Sequence, residues 1–300
     1  MPDEACAQPP ENDDGSQDGP SEGLVLVSTP IGNLGDVTDR ARAALAGADW
    51  LLCEDTRTTA RLLAALGLGG VHLVALHEHN EDARIASVLD ALRAGKRVAL
   101  VSDAGTPLVS DPGFRLVRAV IAAGLGVTAL PGANAALTAL VLSGLPPQPF
   151  LFLGFPPPRS AARRAAFGTL RAAERAGLGA TLIWHEAPHR LAEALADMAA
   201  AFGPRPAAVA RELTKRFEEV RRDSLDALAA HYAAHAPRGE ITVLVGPAAA
   251  EAADAETLDA RLRAALAGNS VKDAAALVAT ATGLPRKLVY ARALEIADGG

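Results

Sequence analysis

Four short segments combine small residues with one or two polar side chains, as a turn that meets a ligand requires. They are Thr29-Pro-Ile-Gly-Asn33, Glu54-Asp-Thr-Arg57, Ser102-Asp-Ala-Gly-Thr-Pro107 with Asp111-Pro-Gly113, and Leu130-Pro-Gly-Ala-Asn134. Small residues let backbone approach a bound group closely, and a placed carboxylate can accept a proton. Any one of these is an ordinary strand-to-helix turn. Four in one half of the chain point to a composite ligand site. Glu54, Asp55 and Arg57 read two ways, as acid/base and substrate-orienting groups or as an ion pair with Asp55 or Thr56 capping the next helix. His77-Glu-His79 offers two imidazoles at i, i+2, but neither an H-E-x-x-H nor a cysteine pair supports a metal. A polar loop is the better reading there, and no metal is expected. The dinucleotide fingerprint, the P-loop and the nucleophile elbow are all missing from the sequence. Arg159, Arg163, Arg164, Arg171 and Arg175 crowd one stretch, and Lys272, Arg286, Lys287 and Arg292 another. Each group is either a solvated helix face or a phosphate-binding surface.

The elements that would position these turns are legible. Apolar runs at 24–28, 49–53, 71–76, 97–102 and 126–130 read as strands. Helical spacing follows at 39–47, 56–66, 82–94, 112–123 and 134–142. Strands without polar alternation, each followed by a helix, predict a mostly parallel sheet covered on both faces. Such sheets bind ligands at the carboxyl ends of their strands, where the four turns fall. The proline cluster at 145–149 suggests a domain boundary. Beyond it, strands at 150–154, 180–184, 207–213, 217–221 and 240–245 accompany helices at 159–176 and 189–202. The short connection inside 207–221 favours a hairpin, so this part is a mixed α/β domain. The expected organisation is an acidic tail (1–22), an N-terminal α/β domain (23–146), a C-terminal mixed α/β domain (147–250), and a linker with a short helical extension (251–300).

Composition narrows the class. The 300 residues are 50% hydrophobic, enough to build a core, and no apolar run is long enough to span a bilayer. No basic segment leads into an apolar one at the N-terminus, so no signal peptide is expected. Two cysteines, Cys6 and Cys53, support neither a disulfide framework nor a cysteine zinc site. A cytoplasmic protein is expected. The net charge of −6 belongs to the tail, which holds seven acids and no lysine or arginine; the rest of the chain has 29 basic and 28 acidic residues. A near-neutral body admits local basic patches and an anionic partner. The tail's composition predicts disorder.

Several segments recur together in one family: Ser28-Thr-Pro-Ile-Gly-Asn-Leu34, Glu54-Asp-Thr-Arg57, Ala75-Leu-His-Glu-His-Asn-Glu81, Val101 to Pro107 with Ser110-Asp-Pro-Gly113, Glu186-Ala-Pro-His-Arg190, Arg211-Glu-Leu-Thr-Lys215 and Gly239-Glu240. Over about residues 23–295 the chain resembles the cytidine 2′-O-methyltransferases of small-subunit (16S) ribosomal RNA, in the tetrapyrrole (corrin/porphyrin) methylase superfamily. The resemblance implies two α/β domains with S-adenosylmethionine held in a cleft, a homodimer, and a cytidine near the decoding site of the small ribosomal subunit as acceptor. It implies cofactor contacts from Pro30, Ser102, Asp103, Ala104, Gly105, Thr106, Pro107, Asp111, Pro131 and Gly132. A second wall for adenine and ribose would come from Glu186, Ala187, Glu212, Leu213 and Thr214. By loop position Glu54, Asp55, His77, Glu78 and His79 are the candidate proton acceptors, with Asp55 expected first and Arg57 orienting the substrate. His77, His79, Asn80, Arg159, Arg163, Arg164, Lys272 and Lys287 are the expected RNA contacts. One departure is Ala133-Asn134, where relatives often place a small hydroxyl or thiol residue. The competing readings are a methylase of the same fold acting on a tetrapyrrole or protein side chain, and a non-catalytic RNA-binding assembly factor.

Overall fold

The computed structural model describes residues 23–248, 255–282 and 284–298. The acidic tail and most of the expected linker lie outside the described residues. The chain forms two compact units that divide between Asn134 and Ala135.

The first unit is a five-stranded, fully parallel sheet in the order β3-β2-β4-β1-β5. Its strands are β1 (Leu24–Val27), β2 (Trp50–Cys53), β3 (Leu73–Ala75), β4 (Val98–Val101) and β5 (Val127–Leu130). The helices are α1 (Asp39–Gly47), α2 (Thr56–Ala65), α3 (Glu81–Arg93) and α4 (Phe114–Ala122). Successive side chains on a strand point to opposite faces, and both faces here are apolar. Leu24, Leu52, Val98 and Leu100 pack with Val88 and Leu92 of α3 and with Leu116 and Val120 of α4. Val27, Leu51, Cys53, Ala99 and Val101 pack with Leu45 of α1 and Leu63 of α2. Burial on both faces is why these strands read as unbroken hydrophobic runs. Every loop expected to carry chemistry in this unit leaves a strand's carboxyl end.

The second unit begins with α5 (Ala135–Ser143), which lies against its sheet. Five strands follow: β6 (Phe150–Phe152), β7 (Thr181–Glu186), β8 (Pro206–Arg211), β9 (Glu219–Ser224) and β10 (Ile241–Val245). Their order is β6-β7-β10-β8-β9, with β6 and β7 parallel and the other pairs antiparallel, as the mixed-sheet reading expects. The helices are α6 (Ser160–Arg175), α7 (Leu191–Phe202) and α8 (Leu225–Ala234). Phe167 of α6, Leu195 and Met198 of α7 and Leu228 of α8 close one face over Leu182, Trp184 and Val243. The sequence reading assigned nothing to 222–239, where α8 lies. Its local signals are Ser224, whose hydroxyl caps the helix by accepting from the Ala227 N–H, and the i, i+3, i+7 spacing of Leu225, Leu228 and Tyr232. Three C-terminal helices, α9 (Ala255–Leu266), α10 (Val271–Thr282) and α11 (Arg286–Asp298), share a small core of Leu258, Leu262, Val278, Val289 and Ala293.

Candidate functional site

In the first unit the loops after β1, β4 and β5 are bonded to one another. Thr29 and Gly105 exchange both backbone hydrogen bonds, at 2.8 and 3.0 Å. The Thr29 hydroxyl donates to Ser102 O (3.2 Å), and the Ser102 hydroxyl donates to Gly105 O (2.8 Å). The Thr106 hydroxyl donates to Ala133 O and accepts from Asn134 Nδ2, both at 3.2 Å. The departure at Ala133-Asn134 thus has a structural use: the amide ties two strand-end loops together. Ser102, Gly105 and Pro107 are buried, Pro30 is half-buried, and Ala104, Pro131 and Gly132 reach solvent.

Two glycines let these loops pack closely. Gly105 has φ +84°, and a Cβ there would stand 3.3 Å from Ile31 Cγ2. A Cβ on Gly132 would stand 2.8 Å from Ser28 Cβ, a distance at which something must shift. Leu108 and Ser110 hold φ of 69° and 68° in the same loop. Non-glycine residues in that region store backbone strain, which a surrounding network must over-determine.

Three carboxylates share these strand ends. The Asp55 N–H donates to Asp103 Oδ1 at 3.3 Å. Burial, then Asp103 and Glu78, pushes the Glu54 carboxyl up. Burial, then Glu54 and Asp103, pushes Asp111 up to about 6. Close carboxylates resist simultaneous ionisation, so this group suits a cationic ligand or a proton taken near neutrality.

Asp55 differs from its neighbours. It caps α2, its Oδ1 accepting from the Arg57 N–H at 2.8 Å, and the Arg57 side chain closes on both oxygens. That guanidinium holds the carboxyl at about 2. The Arg57 side chain is 83% exposed. These bonds match the capping and ion-pair reading of the sequence, and a carboxylate so stabilised as an anion is a weak base. Burial and neighbouring carboxylates shift Glu54 and Asp111 the opposite way, upward.

The loop after β3 is braced. Asn80 Oδ1 accepts from the His77 N–H (2.8 Å), and Asn80 Nδ2 donates to Ala75 O (3.1 Å). The His77 and His79 ring centroids are 6.1 Å apart, and among the described residues no set of three His, Cys, Asp or Glu side chains could hold a metal. Arg115 of α4 ties the loop down through Glu78 O, Glu81 and Asp82. Sequence reasoning missed Arg115, because no local pattern marks a residue whose partners lie 33 to 37 positions away.

In the second unit, β6, β7 and β8 end where β10 begins. The Glu186 side chain is fully buried, and its Oε1 accepts from the Ala187 N–H (2.8 Å) and from Arg190 Nε (2.7 Å). Its Oε2 has no partner among the described residues. Glu212 (φ 51°) receives Lys215 Nζ at 3.0 Å and the Glu240 N–H at 3.1 Å. Leu213 is buried beside it, and the half-buried Thr214 (φ 65°) has a hydroxyl without a partner among the described residues. Two such orphaned polar atoms at one sheet end fit a ligand with both hydrogen-bond donors and acceptors.

The expected RNA contacts separate by burial. Arg159 is exposed, and the Arg164 side chain is 63% exposed. Arg163 is fully buried: its Nε donates to Asp197 Oδ2 at 2.8 Å, and its Nη2 lies 3.2 Å from Glu193. Its assignment to RNA is withdrawn, since its charge is spent inside the α6–α7 interface. Lys272 and Lys287 stand exposed on α10 and α11. Arg292 closes on Asp259 at 2.6 and 2.7 Å and holds α11 to α9.

The family model of the Tetrapyrrole (Corrin/Porphyrin) Methylases matches residues 23–229, and the model described as the RsmI C-terminal HTH domain matches residues 248–297. Among curated proteins, the chain is 47% identical to the ribosomal RNA small subunit methyltransferase I of Mesorhizobium japonicum, covering 92% of each chain. It is 43% identical to the protein of that name from Pseudomonas aeruginosa, over 91% of this chain and 96% of the relative. Among solved structures it is similar to the methyltransferase CobJ (TM-score 0.56, 23% identity, 76% of this chain and 95% of that one). It is also similar to a diphthine synthase (TM-score 0.57, 15% identity, 74% and 90%). These two likenesses concern the fold.

Proposed function

From the premise that this chain belongs to the tetrapyrrole (corrin/porphyrin) methylases, we propose that it methylates RNA of the small ribosomal subunit, at the ribose 2′-oxygen of a cytidine, using S-adenosylmethionine. The observation that carries this reading is the 47% identity, over nearly the whole length, to a relative named for that RNA. The residues on hand fit the cofactor. Gly105 and Gly132 let the strand-end loops that carry Ile31 and Ser28 pack without side chains between them. Within the first unit, the acidic trio of Glu54, Asp103 and Asp111 suits a cationic group.

The bound cofactor supplies an activated methyl group, so the protein's share is placement and proton removal. A ribose hydroxyl is a weak nucleophile and needs a base in the transition state. Asp111, pushed up to about 6, is assigned that role with Glu54 beside it. The Thr29, Ser102 and Thr106 hydroxyls fix the loops around them. Arg159, Arg164, Lys272 and Lys287 are exposed cations available to RNA phosphates, and His77, His79 and Asn80 remain assigned to the RNA. A homodimer acting in the cytoplasm belongs to the same proposal.

The test is methyl transfer from labelled S-adenosylmethionine to small subunits from a strain lacking this gene, with large subunits and free RNA as controls. Label on one cytidine ribose is the expected result. No label on any RNA, with cofactor binding intact, overturns the reading.

A further inference from the structure

Two phenylalanines stand in solvent at the end of the second sheet where β6, β7 and β8 finish and β10 begins. Phe155, three residues past β6, is 56% exposed, and Phe217, in the β8–β9 turn, is 65% exposed. Neither is loose. The Phe155 ring leans on His185 at 5.7 Å, and His185 Nδ1 is 3.2 Å from the Thr242 hydroxyl. Three prolines follow Phe155; Pro156 is buried, and its carbonyl accepts from Arg190 at 3.1 Å. Phe217 rides on a turn closed by Lys215 N–H to Glu212 O, Glu218 N–H to Lys215 O, and Thr214 N–H to the Glu218 carboxylate. The Arg216 guanidinium lies 5.5 Å over its ring.

The cations around the rings are of two kinds, and Glu218 beside Phe217 is bonded only to the Thr214 N–H among the described residues. Lys215 is neutralised by Glu212 and Glu240, and Arg190 by Glu186. Arg159, Arg216 and Arg238 flank the same strand ends, are exposed, and form no ion pair among the described residues. Separate rigid rings interleaved with unpaired guanidinium groups match single-stranded nucleic acid, where bases stack on aromatic faces and phosphates meet arginine. A protein partner would instead call for a contiguous apolar patch.

We propose that Phe155 and Phe217 are stacking platforms for unpaired bases of the RNA substrate, with Arg159, Arg216 and Arg238 on the adjoining phosphates. This rests on the RNA reading above and adds where a single-stranded segment lies.

The experiment uses the full chain and the same small subunits. Phe155→Leu and Phe217→Leu keep apolar bulk and remove the aromatic plane. Each is expected to raise KM about 5- to 150-fold, the range for losing one base–aromatic stack, with kcat within about threefold and affinity for S-adenosylhomocysteine unchanged. Phe155→Trp and Phe217→Trp are expected to keep KM and to show fluorescence quenched by RNA. Replacing the three arginines with alanine is expected to flatten the log–log salt dependence by about two, at roughly 0.7 per single-strand phosphate. An unchanged KM in the double leucine variant overturns the proposal. So does lost cofactor affinity, which would make the rings an adenine platform, or a changed sedimentation state, which would make them a protein contact. If the wild-type protein labels no RNA, the parent reading has failed and takes this one with it.

Discussion

Replacing Asp111 with asparagine should stabilise the protein, and more at high pH than at low. Its carboxyl sits at about 6 rather than the ordinary 3.8, through burial and then through Glu54 and Asp103. A raised carboxyl means the folded state binds the proton more tightly than the unfolded chain. Stability therefore falls as pH rises from the ordinary value through the raised one, and levels off above it. The shift of about two units sets a ceiling of ~3 kcal/mol at about pH 8 and ~1 kcal/mol at about pH 4.5, and solvent screening of this part-buried group roughly halves both. Asp111→Asn removes the charge and should gain ~1 kcal/mol more at the higher pH. At about 2–4 °C per kcal/mol, that is a difference of roughly 2–4 °C between the two melting shifts. Thermal melts of wild type and variant at both pH values measure it. The same substitution should lower the single-turnover methyl-transfer rate at saturating cofactor by about 100-fold or more, the usual worth of a general base. Equal melting shifts at the two pH values would refute the buried-cluster reasoning. An unaltered single-turnover rate would refute the base assignment.

Asp55→Ala should cost about 1 kcal/mol as a lost helix cap, while single-turnover transfer at saturating cofactor stays within about threefold; a loss near that of Asp111→Asn would return Asp55 to the chemistry. Gly132→Ala should weaken binding of S-adenosylhomocysteine in calorimetry and destabilise by about 1–3 kcal/mol through overpacking, since its Cβ would meet Ser28 Cβ at 2.8 Å. Arg205→Met should cost about 1–3 kcal/mol in denaturant titration by removing one of two guanidinium partners that buried Glu174 has among the described residues, Arg171 remaining at 3.3 Å. The two are paired at 2.6 Å, with side-chain exposures of 6% and 0%. Adding Glu174→Gln should recover most of that loss, and no recovery would refute the pairing as its source.

The sequence by itself determined the parallel sheet, the mixed second sheet and the loops that gather at the first sheet's carboxyl ends. Those features are written in short-range periodicity, because a strand buried on both faces must be apolar at successive positions, as Val98 to Val101 are. It also marked the segments now seen to bond together, from Thr29 to Asn134. The fate of each charge was decided only by the tertiary structure. Arg163 and Arg164 are neighbours in one basic stretch, yet the first is enclosed with Asp197 and the second faces water. Asp55 and Asp111 read alike as acids in ligand-site turns, but one is held near 2 by Arg57 and the other lifted to about 6 by burial and two carboxylates. Helix α8 escaped the reading because its apolar stripe is short and follows a hairpin strand directly. The division has one physical cause. Local hydrophobic spacing selects helix and strand, whereas a side chain's charge state and reach depend on groups brought beside it from far along the chain.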